Sequence, residues 1–125
     1  MKSNRDDHAC TAVNFGGVHG ILVAGGDDEN DRSRSTSEFY NIKTGKWQRV
    51  GGLRVDRPKS PHLVHVSGRI FIIGGNTRQV EEFLPAGMKW ARPSGLPRLR
   101  YERTWSPGVT AFPSSLLKVC RDGGR

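Results

Sequence analysis

Two short apolar runs in this chain end the same way. His19-Gly20-Ile21-Leu22-Val23-Ala24 runs into Gly25-Gly26, and Gly68-Arg69-Ile70-Phe71-Ile72-Ile73 runs into Gly74-Gly75. A run this short, rich in β-branched residues and closed by glycine, reads as a buried strand. A glycine pair admits backbone conformations closed to other residues, so the chain can turn away sharply at its end. Two copies of so specific a pattern make internal repetition the first property to establish, because it decides the architecture.

The second half of the chain overlays the first with one change of register. Ile21, Val23, Gly25 and Gly26 fall on Ile70, Ile72, Gly74 and Gly75 at an offset of 49. Beyond the glycines the offset is 43: Glu38 falls on Glu81, Tyr40 on Phe83, Lys46 on Lys89, Trp47 on Trp90, Gly52 on Gly95, Leu53 on Leu96 and Arg57 on Arg100. The change, 49 − 43 = 6, sits between glycine pair and glutamate, where the first copy has 11 residues and the second has 5. Surface connections tolerate such differences in length.

A hydrophobic strand into Gly-Gly, an acidic residue two before an aromatic, and a Trp seven further on resemble the kelch repeat. The first copy carries this in Ser37-Glu38-Phe39-Tyr40 to Lys46-Trp47, and the second in Val80-Glu81-Glu82-Phe83 to Lys89-Trp90, with Phe83 where the family usually has Tyr. The likeness covers roughly residues 5–103, at a spacing near the kelch period of about 50. It implies an all-β fold: two four-stranded antiparallel kelch blades of an incomplete β-propeller, with a partial third blade. The implied units are 5–51, 52–94 and a partial or degenerate third repeat over 95–125. Strands are expected over 9–15, 20–25, 37–41 and 46–50, then over 60–66, 69–74, 79–83 and 88–92. Tyr40, Trp47, Phe83 and Trp90 then fill the wide gaps between outer strands, a packing role. Propellers close with about four to eight blades, so two blades leave apolar faces that invite self-association.

Composition agrees with short strands and many turns: 125 residues with 16 glycines and 34% hydrophobic content. No apolar run exceeds four residues, too short to span a membrane as a helix. The first seven residues lack the apolar stretch of a signal peptide, so the expected location is cytoplasmic. Cys10 and Cys120 are far apart without metal spacing and read as reduced thiols. The histidines, His8, His19, His62 and His65, show no metal spacing, and His62 and His65 fall on opposite faces of one strand. No phosphate-binding glycine loop or nucleophile elbow is present. No catalytic residue, metal or cofactor is therefore assigned, and the chain is not expected to be an enzyme.

The net charge of +8 favours an acidic partner. In an antiparallel four-stranded unit, the loop between second and third strands shares one end with the connection between units. That end collects nine cations, Arg32, Arg34, Arg54, Arg57, Lys59, Arg78, Arg98, Arg100 and Arg103. It also holds six acids, Asp27, Asp28, Glu29, Asp31, Asp56 and Glu102. Arginine grips carboxylates with a planar fork, and kelch domains commonly bind a short partner segment at this end, often an acidic one. The resemblance thus implies a protein–protein interaction module with Arg57, Arg78 and Arg100 as partner-binding residues. An alternative role for Arg57 and Arg100 is internal pairing with a glutamate such as Glu38 or Glu81. The run Arg32-Ser33-Arg34-Ser35-Thr36-Ser37 reads as a solvated loop, or as a phosphorylation site beside those arginines. Three alternative functions stand beside the module: a fragment of a ubiquitin-ligase substrate adaptor, a fragment of a galactose-oxidase-like copper enzyme, and nucleic-acid binding through basic loops. The last rests on charge alone, with no groove helix or stacking platform.

Overall fold

The computed structural model describes residues 1, 5–30, 35–66 and 68–93. It contains eight strands in chain order: β1 (Ala9–Phe15), β2 (Val18–Ala24), β3 (Ser37–Asn41), β4 (Lys46–Val50), β5 (His62–Val66), β6 (Arg69–Ile73), β7 (Glu81–Leu84) and β8 (Lys89–Ala91). They form two separate four-stranded sheets, β1-β2-β3-β4 and β5-β6-β7-β8, every neighbouring pair antiparallel. The protein is all-β over the described residues, as the twin runs indicate. The third unit expected over 95–125 lies outside the described residues. Among the described residues no helix is long and apolar enough to cross a membrane.

Local chemistry sets the strand ends. β2 stops at Ala24 because Gly25 and Gly26 turn into the left-handed region, at φ 73° and 86°. β5 begins at His62, after Pro61, which has no N–H to give a ladder. β8 begins at Lys89 because Met88 sits at φ 49°. Gly75, at φ 79°, has a second reason to lack a side chain: a Cβ there would lie 2.7 Å from Arg57 Cβ. Gly75→Ala is expected to cost at least about 1–2 kcal/mol from the left-handed backbone alone, with the Arg57 contact in addition. A denaturation midpoint equal to that of the parent would contradict this.

The two sheets stack with unlike faces together. Ile70, Ile72, Phe83 and Trp90 of the second sheet point into the shared core, where they meet Ala9, Val13, Leu22, Ala24 and Phe39 of the first. The register equivalents of the first four in the other sheet are Ile21, Val23, Tyr40 and Trp47. These point away from the core and form a cluster of their own with Cys10 and Ala12. Corresponding faces therefore never meet, which distinguishes this stack from a sandwich with a two-fold axis. In each sheet the outer-strand aromatics sit directly opposite one another: Tyr40 on Trp47 with ring centroids 5.0 Å apart, and Phe83 on Trp90 at 5.1 Å. Their role is packing, as expected from the sequence.

Polar bonds also join the sheets. Trp90 Nε1–H donates to Ser37 Oγ at 2.9 Å, and that hydroxyl donates to the Gly51 carbonyl at 2.6 Å. The Gly51 N–H donates in turn to the Met88 carbonyl at 2.7 Å. Phe15, the last residue of β1, stands 5.6 Å from Phe39 and 5.5 Å from Phe83, one ring in each sheet.

Candidate functional site

The connection from β4 to β5 carries Arg57, which is wholly buried. Its guanidinium donates from Nη1 to the Gly74 carbonyl at 2.7 Å and from Nη2 to the Gln79 carbonyl at 2.7 Å. Nε and Nη2 also reach Glu81 Oε2, at 3.3 and 3.0 Å. The other carboxylate oxygen, Oε1, accepts the Arg54 backbone N–H at 2.6 Å. Burial pulls the Arg57 pKa below the usual arginine value, while hydrogen bonding and charge from Glu81 oppose that shift. A buried arginine stays protonated, so Glu81 and the two carbonyls are what make its burial tolerable. Of the two roles weighed for Arg57, the geometry places it in the internal pair.

The first sheet repeats this clasp. Arg5 donates from Nη1 to the Gly25 and Thr36 carbonyls at 3.0 and 2.9 Å, and from Nη2 to Glu38 Oε2 at 3.2 Å. In both clasps the arginine lies just before the first strand of its sheet. It holds the carbonyl of the first glycine in the pair and the carbonyl two residues before the glutamate. Sequence comparison at fixed offset misses Arg5, because Arg5 stands four residues before β1 and Arg57 five before β5. The signal that finds it is its distance from the strand, not from its counterpart. The backbone of Arg57 also serves the neighbouring sheet, since its carbonyl accepts the Gly26 N–H at 2.8 Å.

The clasp fixes the two segments that display free charge at this end. Glu81 holds the backbone of Arg54, and Arg57 holds the carbonyl of Gln79, next to Arg78. Arg54 and Arg78 themselves are exposed. Lys59 is also exposed and pairs with the buried Asp27 at 3.3 Å across the two units. Arg100 lies outside the described residues, as do Arg32, Arg34, Arg98 and Arg103. In the hydroxyl-rich run before β3, the Thr36 hydroxyl accepts Arg5 Nη2–H at 2.8 Å and Ser37 is buried. Neither is the solvated hydroxyl expected from composition.

At the other end Arg69 forks onto Glu82, with Nε on Oε2 at 2.7 Å and Nη2 on Oε1 at 2.9 Å. Its hydrogen bonds hold the Glu82 carboxyl below the usual carboxylate range. Cys10 is disulfide-bonded, which corrects the expectation of a reduced thiol. Cys120 lies outside the described residues. Among the described residues no group of three or more His, Cys, Asp or Glu is placed to hold a metal ion. A scan of protein-family models finds no match to this chain, and a search of curated proteins finds no relative.

Proposed function

We propose that the chain is a kelch-type protein-interaction module. In this reading each sheet is a propeller blade, the pair is part of an incomplete propeller, and 95–125 supplies a partial third blade. The module recognises an acidic segment of a partner protein at the end carrying Arg54 and Arg78. Arg57 acts there as a positioning residue, and Arg100, its equivalent by register, belongs to the same set. The observation that carries this reading is the double tie at Glu81. One buried carboxylate and its arginine fix both cation-bearing segments, so two exposed guanidinium groups are offered from a braced backbone. Rigid display lowers the ordering cost of binding, and guanidinium groups suit carboxylates in particular.

The test is fluorescence anisotropy with a labelled Asp/Glu-rich peptide and the full chain. The double variant Arg54→Glu, Arg78→Glu is expected to weaken binding by about tenfold or more, with stronger effects at low salt. Both side chains are exposed, so the denaturation midpoint should hold. Unchanged affinity in the double variant, or no measurable binding by the parent at low salt, overturns the reading.

A further inference from the structure

At the end opposite Arg54 and Arg78, a cleft of about 850 Å³ opens between the two sheets. Small-molecule sites span roughly 300–1,000 Å³. The floor is apolar, with the half-buried Phe15 ring over the buried Phe83 and Ile70. Gly16, Gly68 and Ala86 also line it. A methyl group added at Gly16 or Gly68 would meet no atom within 4 Å.

The polar side chains around this floor are Asn14, His19, His65 and the Arg69–Glu82 pair. Asn14 uses its Oδ1 to accept the Gly17 N–H at 2.9 Å, which leaves its amide N–H groups to the cleft. His65 engages Thr11 Oγ1 through one ring nitrogen at 3.1 Å and keeps the other. The His19 ring has no partner among the described residues. Glu82, the carboxylate lining the cleft, is already neutralised by the Arg69 fork. The site therefore offers the Asn14 amide donors, two imidazoles that can each turn a donor nitrogen toward a ligand in one tautomer or when protonated, and no unpaired anion. Aromatic rings favour an offset or tilted aromatic partner over an aliphatic one of equal size.

We propose that this cleft is a second binding site, for a small planar aromatic carboxylate. Its ring lies against Phe15, and its carboxylate meets the Asn14 amide and the imidazoles of His19 and His65. The site is independent of the acidic-segment reading, since it uses none of the same residues.

The probe is naphthalene-2-carboxylate, titrated into the ¹⁵N-labelled full chain and followed by amide shifts. Saturable shifts confined to 14–19, 65–70 and 84–86 are expected. Asn14→Asp keeps the acceptor for Gly17 N–H but replaces the donor with an anion, and should weaken binding by about tenfold or more. Cyclohexanecarboxylate should bind more weakly than the aromatic probe. Ala86→Trp, on an exposed turn, should block the mouth and abolish the shifts. The proposal is overturned by an absence of saturable shifts in the parent, by shifts centred elsewhere, or by parental affinity in Asn14→Asp or Ala86→Trp.

Discussion

Glu81→Gln is expected to lower the free energy of unfolding by about 3–5 kcal/mol, the usual cost of leaving one member of a buried ion pair uncompensated. Total stability of a small domain is about 5–15 kcal/mol, so this single change takes the protein close to its folding threshold. The cause is Arg57. With Glu81 neutral, the guanidinium keeps the Gly74 and Gln79 carbonyls but loses the carboxylate at its Nε and Nη2. The double variant Arg57→Met, Glu81→Leu separates charge from carbonyl capping. Removing both charges should recover part of the loss, because apolar replacements of buried pairs are often neutral or better. Recovery should be incomplete, since the buried Gly74 carbonyl then loses its donor at about 1–3 kcal/mol, and the partly buried Gln79 carbonyl loses its own at less. Urea denaturation of the three proteins measures this. A Glu81→Gln midpoint within error of the parent would remove the clasp from the account of stability.

The second large effect is expected at Trp90. Trp90→Ala should cost about 3–5 kcal/mol, as for other buried aromatic truncations. Trp90 is 5% exposed, packs edge-on against Phe83, and donates its indole N–H to Ser37 of the opposite sheet. Trp47 occupies the same register position in β4 but is only half-buried. Trp47→Ala should therefore cost distinctly less. Equal losses from the two substitutions would contradict the asymmetry between the faces of the two sheets.

The eight strands were legible in the sequence because their signals are local. Apolar alternation, glycine pairs and turn residues act within a few positions of each other. The missed strand ends have equally local causes that composition does not display, such as the positive φ of Met88. Glu81 and Arg57 were legible as a pair only as one of two options. Whether an arginine faces solvent depends on how the β4–β5 connection crosses the sheets, and no spacing reports that. Arg5 was not legible, since nothing in its surroundings marks it as the partner of a glutamate 33 residues away. Alternation also tells which residues share a face, yet not which face meets which. The Ser37–Trp90 bond, spanning 53 residues, belongs to that unread information.

Because the sheets meet front to back, the same joint can be used again without alteration. A tandem duplication of one unit's coding segment would yield a newcomer whose front already fits its predecessor's back. Copy number can thus change in evolution without any contact surface having to be invented.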